Sequence, residues 1–142
     1  MKILIAEDDR VSRVFLEKFM SDYGVCDVAA DGMEALDLFM ESMKKKEPYD
    51  LACLDIMMPK VDGIKLIKVI RTMEKQQSIA TAERVRIIMM TALADVDYVD
   101  QAFALGCDAY ASKPIDTDKV EEVLAKLGFD KNGATETWEE SE

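Results

Sequence analysis

Asp50-Leu51-Ala52-Cys53-Leu54-Asp55-Ile56-Met57-Met58-Pro59 is the stretch that decides how the rest of the chain is read. A short apolar run, bounded by polar residues and closed by a proline turn, predicts a strand buried on both faces. Asp55 then stands at the strand's C-terminal end, the edge where open α/β sheets carry their ligand sites. A carboxylate there is either a turn former or a group with chemistry, a nucleophile or a metal ligand. The run itself does not choose between them.

Moving outward, the same grammar repeats. Lys2–Ala6 is a short apolar strand. Val11, Val14, Phe15 and Phe19 recur at helical spacing, so a helix is expected to about Tyr23, stopped by Gly24. Val25–Ala30 is a second strand, and Leu36, Phe39, Met40 and Met43 mark an amphipathic helix. Lys44-Lys45-Lys46 reads as its solvated end, with cations suited to the helix dipole. After Asp62-Gly63, Ile64, Ile67 and Ile70 mark a third helix, with Lys75 to Glu83 as its end plus an exposed loop. Val85–Met90 is a fourth strand. A helix from about Ala94, through Val96, Val99 and Phe103, stops at Gly106. Asp108–Ser112 is a short fifth strand, and Val120, Val123, Leu124 and Leu127 give a last helix ended by Gly128. Five strands alternating with five helices predict a parallel sheet covered on both faces.

Bulk properties bound the function. The chain has 142 residues, 49% of them apolar, and no run approaches the roughly 20 apolar residues of a membrane span. Glu7-Asp8-Asp9 follows the first apolar residues too soon for a secretory signal, so a cytoplasmic location and no membrane association are expected. Cys26, Cys53 and Cys107 lack metal-ligand spacing and read as small core residues. There is no histidine, which excludes histidine triads, histidine metal sites and a phosphohistidine carrier. A net charge of −11 with no basic stripe argues against direct contact with nucleic acid. Residues 1–128 are expected to form one domain, and 129–142 an acidic, flexible tail with Trp138 its only large apolar side chain.

If the sheet is parallel, the polar strand ends converge on one edge: Asp8 and Asp9, Asp55, Thr91, and Lys113. Each has an ordinary alternative. Asp8, Asp9 or Thr91 can cap the helix that follows, and Lys113 can be a surface lysine. Together they carry more weight. Three gathered carboxylates need a cation to stay ionised together, and hard oxygen ligands suit Mg²⁺. A hydroxyl and an ammonium opposite are the clamp expected for phosphoryl transfer, with Asp55 as nucleophile forming an acyl phosphate.

Glu7-Asp8-Asp9, Leu54-Asp55-Ile56-Met57-Met58-Pro59 with Asp62-Gly63, Met90-Thr91-Ala92, and Tyr110 through Lys113-Pro114 resemble the receiver domain of two-component response regulators. The resemblance covers residues 1–128. It implies a flavodoxin-like (βα)5 three-layer sandwich with a parallel five-stranded sheet in the order 2-1-3-4-5. It implies that Asp55 is the phosphoacceptor, supplied by a histidine kinase or histidine phosphotransfer protein. Asp8, Asp9 and Asp55, with the Met57 backbone carbonyl, would hold Mg²⁺ (or Mn²⁺). Lys113 would pair with the phosphoryl group, Thr91 would swing in to it, and Tyr110 would follow by turning inward. The output face would be helix four, strand five and helix five. Such a domain is no enzyme toward other substrates; it promotes only its own phosphorylation and dephosphorylation. The short tail leads to the expectation of a stand-alone domain acting through protein contacts.

In that family the positions two after the phosphoacceptor and two after the threonine set the acyl-phosphate lifetime; here they are Met57 and Leu93. Neither can orient a water by hydrogen bonding, so slow self-dephosphorylation is expected. Replacing Met57 by Asn and Leu93 by Glu should shorten the phosphoprotein half-life; an unchanged or longer half-life contradicts this. Two other readings compete. A haloacid-dehalogenase-type phosphatase also uses Asp, Thr, Lys and Mg²⁺, but its Asp-x-Asp follows the first strand, whereas Asp55 follows the third and Met57 takes the second position. A receiver-like binding module that works without phosphate usually loses an acid or the lysine, and all are kept here.

Overall fold

Alternation along each strand builds the two sides of the molecule. A computed structural model of the chain describes residues 1–91 and 96–131. Its elements run β1 (Lys2–Ala6), α1 (Arg10–Met20), β2 (Val25–Ala29), α2 (Gly32–Lys44), β3 (Leu51–Asp55), α3 (Gly63–Gln76), β4 (Arg86–Thr91), α4 (Val96–Leu105), β5 (Ala109–Ser112) and α5 (Thr117–Lys126). A 3-10 turn at Thr81–Glu83 lies between α3 and β4. The five strands form one sheet in the order β2-β1-β3-β4-β5, every pair parallel. This is the flavodoxin-like order.

Leu4, Ala6, Ala52, Leu54, Ile87 and Met89 face one layer, packing with Phe39 of α2, Leu66, Ile67 and Ile70 of α3, and Ala102 of α4. The alternate residues Ile3, Ile5, Leu51, Cys53, Ile88 and Met90 face the other, against Leu16 and Met20 of α1 and Val120 and Leu124 of α5. β3 is buried at every position, because it is central and covered on both sides. Burying such side chains, at about 1.5–3 kcal/mol for each large aliphatic, is the dominant favourable contribution to the fold.

Aspartates start four of the helices. Asp9, Asp31, Asp62 and Asp116 each accept a backbone N–H of the first turn, at 2.9–3.0 Å for the nearest. Gly63 is required by close approach: a Cβ there would lie 2.4 Å from the Asp55 carbonyl oxygen. Its N–H donates to the Ile56 carbonyl at 3.0 Å, so α3 begins hard against the end of β3.

Several boundaries differ from expectation. The first helix ends at Met20, not Tyr23, because Ser21 and the turn to Gly24 fold Tyr23 back into the core. The fourth strand runs one residue further, so Thr91 is a strand residue. Cys53 and Cys107 are buried, while Cys26 on the edge strand is half-buried; all three are free thiols. The expected helix start near Ala94, Leu93 and the tail with Trp138 lie outside the described residues. Among the described residues no helix is long and apolar enough to cross a membrane.

Candidate functional site: an acidic edge with one lysine

Parallel register brings the strand ends together. Asp55 pairs with Met90, one residue short of Thr91, and Thr91 pairs with Ser112, one short of Lys113. The Lys113 N–H donates to the Thr91 carbonyl at 2.7 Å, which fixes the start of the loop after β5. Asp55 is only 4% exposed. Its Oδ2 accepts a hydrogen bond from Lys113 Nζ at 3.0 Å, and its Oδ1 accepts the Met57 N–H at 3.2 Å. Thr91 is buried at the same edge.

The acid pair differs from expectation by one residue. Glu7, Asp8 and Asp55 each offer a carboxylate oxygen within 4.8 Å of the others. Asp9 does not join them: its Oδ2 accepts from Ser12 N at 2.9 Å and Ser12 Oγ at 2.8 Å, capping α1. Those bonds, the backbone one first, hold the Asp9 carboxyl below its usual range. The sequence signal for this was present, since Asp9-x-x-Ser12 directly before a helical period is an N-cap pattern, leaving Glu7-Asp8 as the pair.

Glu7 is fully buried and forms an ion pair with Lys113. Burial, aided by the neighbouring Asp55, raises its carboxyl from 4.5 to about 7 against the opposing pull of Lys113. Burial works to lower the Lys113 ammonium, but the bonds from Glu7 and Asp55 outweigh it and leave it raised. One cation thus faces two buried carboxylates and a third, exposed one. A divalent cation fits this set, because its charge favours the ionised form of Glu7 against burial and the neighbouring Asp55.

A pH dependence follows. A carboxyl whose pKa is raised on folding keeps more protons folded than unfolded, so its contribution to stability declines as pH rises from about 4.5 to about 7. The metal-free protein should lose this contribution over that window, and Mg²⁺ should stabilise more above it than below. Glu7→Gln should flatten the pH dependence of the metal-free melting temperature. Thermal melts with EDTA or Mg²⁺ check this; a Mg²⁺ increment independent of pH contradicts it.

An open cleft of about 510 Å³ lies beside the site, lined by Asp8, Met57, Pro59, Asp62, Lys65 and Tyr98. The Met57 side chain is exposed beside Asp55. Tyr110 on β5 points outward, 44% exposed, with its ring edge-on to Phe103 at 6.3 Å between centroids and 89° between planes.

The chain is 31% identical over 126 residues to the sporulation initiation phosphotransferase F of Bacillus subtilis, covering 88% of this chain and 91% of that protein. It is 31% identical to the osmosensing histidine protein kinase SLN1 of Saccharomyces cerevisiae over 89% of this chain, but spans only 10% of that relative's length. Among solved structures, a chain of the CheX-CheY-BeF3-Mg+2 complex from Borrelia burgdorferi matches with a TM-score of 0.75 and 27% identity, over 89% of this chain and 88% of that one. A chain of the co-crystal of the Saccharomyces cerevisiae histidine phosphotransfer signaling protein Ypd1 with the receiver domain of Ssk1 matches with a TM-score of 0.72 and 25% identity, over 87% and 86%. The family model described as the response regulator receiver domain matches residues 3–125. The chain therefore belongs to the response regulator receiver domain family, a family of signalling domains.

Proposed function

We propose that Asp55 accepts a phosphoryl group from a phosphohistidine on a histidine kinase or histidine phosphotransfer protein. One observation carries this reading: a nearly buried aspartate sits 3.0 Å from a lysine and shares a 4.8 Å cluster with two other carboxylates. A carboxylate oxygen of Asp55 attacks phosphorus, the P–N bond breaks, and the donor imidazole leaves with the electron pair and takes up a proton. Lys113 stays close to the reacting oxygens and offsets charge as it builds. Glu7, Asp8 and Asp55, with the Met57 carbonyl, would hold Mg²⁺ or Mn²⁺. Bound there, the cation supplies neutralisation of phosphoryl oxygen charge.

The test is transfer of label from a phosphorylated histidine phosphotransfer protein. Wild type should take up label with Mg²⁺ and not with EDTA, and Asp55→Asn should take up none. Equal labelling of wild type and Asp55→Asn would overturn the assignment.

Phosphorylation also supplies new partners for a hydroxyl and an ammonium, and so biases a two-state edge. Thr91 moves toward the phosphoryl group and Tyr110 turns inward, leaving Phe103 and altering the face of α4, β5 and α5 offered to a downstream protein. Beryllofluoride with Mg²⁺ should shift the aromatic resonances of Phe103 and Tyr110. Unshifted resonances with beryllofluoride bound would contradict the switch.

A further inference from the structure

Arg13 lies one turn into α1. Its Nη1 donates to the Glu7 carbonyl at 2.9 Å and approaches the Asp8 carbonyl at 3.3 Å. Three acids precede it by only four to six positions, yet its hydrogen bonds go to backbone carbonyls; of the carboxylates, Asp9 feels its charge, which helps to lower that carboxyl's pKa. The rest of the turn is closed on itself. Asp9 N–H donates to Glu7 Oε2 at 3.1 Å, the Asp9 carboxylate caps Ser12, and Arg13 N–H returns to the Asp9 carbonyl at 2.9 Å. The cap sets where α1 begins, and that start places the guanidinium back over the two peptide units.

We propose that Arg13 is a positioning residue for the cation site: it fixes the Glu7 and Asp8 peptide units so that both carboxylates meet Asp55 around one divalent cation. The inference rests on the cation reading given above. A guanidinium this close can act in two ways that differ in sign. As a bare charge it repels a metal ion, so its removal would tighten metal binding. As a clamp on the turn it lowers the ordering the ligands need, so its removal weakens binding.

Titration of the full chain with Mn²⁺, following the free ion by electron paramagnetic resonance, separates them. Arg13→Met is expected to weaken Mn²⁺ binding about tenfold, the scale of a lost charged hydrogen bond. Arg13→Lys, which keeps the charge and a donor, should recover part of the loss. Phosphorylation by acetyl phosphate should return to the wild-type rate at saturating Mn²⁺, placing the defect in metal affinity. Unchanged or tighter binding by Arg13→Met overturns the proposal, as does a lower melting temperature in EDTA with affinity intact. Should Arg13→Met not fold, weaker Mn²⁺ binding by folded Arg13→Lys supports the proposal and equal binding overturns it. A wild-type chain that binds no Mn²⁺ removes the cation reading and this inference together; wild-type affinity in the variants removes only the inference.

Discussion

Lys113→Ala is expected to slow phosphorylation of the protein by acetyl phosphate by about 10²-fold while leaving Mg²⁺ affinity unchanged or higher. The ammonium pairs with Glu7 and bonds Asp55 at 3.0 Å, so it is already in place before phosphorus arrives. Preorganised charge of this kind stabilises a transition state without reorganising at the moment of reaction. Its removal takes a cation from beside the metal ligands, which cannot weaken metal binding electrostatically. The split is therefore diagnostic: a slow maximal rate with intact metal affinity. Lys113→Arg keeps the charge but changes its reach, and should fall between. A rate for Lys113→Ala within a few-fold of wild type would show that the lysine is only a structural counter-ion.

Arg71→Ala should cost about 3–5 kcal/mol of folding stability, the scale for removing one partner of a buried ion pair. Arg71 joins three elements at the end of the sheet away from Asp55. Its Nη1 meets Glu74 Oε1 at 2.6 Å, its Nη2 meets Asp108 Oδ2 at 3.0 Å, and Nε and Nη2 donate to the Gly106 carbonyl at 3.0 and 2.8 Å. The Glu74 side chain is 3% exposed, and its other oxygen accepts the Val85 N–H at 2.8 Å. Asp108 also accepts the Ile87 N–H at 2.8 Å. Without the guanidinium, buried Glu74 loses its cation and the Gly106 carbonyl its donor, while Asp108 keeps only the longer pair with Arg86 at 3.7 Å. Native domains have only about 5–15 kcal/mol in total, so the loss is large. Arg71→Met with Glu74→Gln should recover part of it, because no buried charge is then left alone. Urea unfolding measures both; a change under 1 kcal/mol for Arg71→Ala would contradict the role assigned to this cluster.

How far the residues could be read in advance depended on how local their signals were. β3 and Asp55 were legible because an apolar run ending in a carboxylate and a proline turn is a short-range pattern. Thr91 and Lys113 were legible because one ends a strand and the other directly follows one. The acid triplet was harder: three consecutive carboxylates offer the same chemistry, and only the sheet and the α1 cap separate buried Glu7 from capping Asp9. The strand order came from the family resemblance, since alternation of elements is satisfied by several parallel orders. The roles of Arg13 and Arg71 depend on where a long side chain reaches across a fold, which periodicity does not encode. Tyr110 presents a similar limit, because its outward position, edge-on to Phe103, involves a neighbour from another element.

The central claim is that Asp55 forms an acyl phosphate. The most direct measurement is peptide mapping of the protein after treatment with acetyl phosphate and Mg²⁺, trapping the acyl phosphate by borohydride reduction. The account predicts a single hydroxylamine-labile phosphoryl group and a reduced residue only at Asp55. A phosphoryl group on any other residue, or none on a folded protein that binds Mg²⁺, would contradict it.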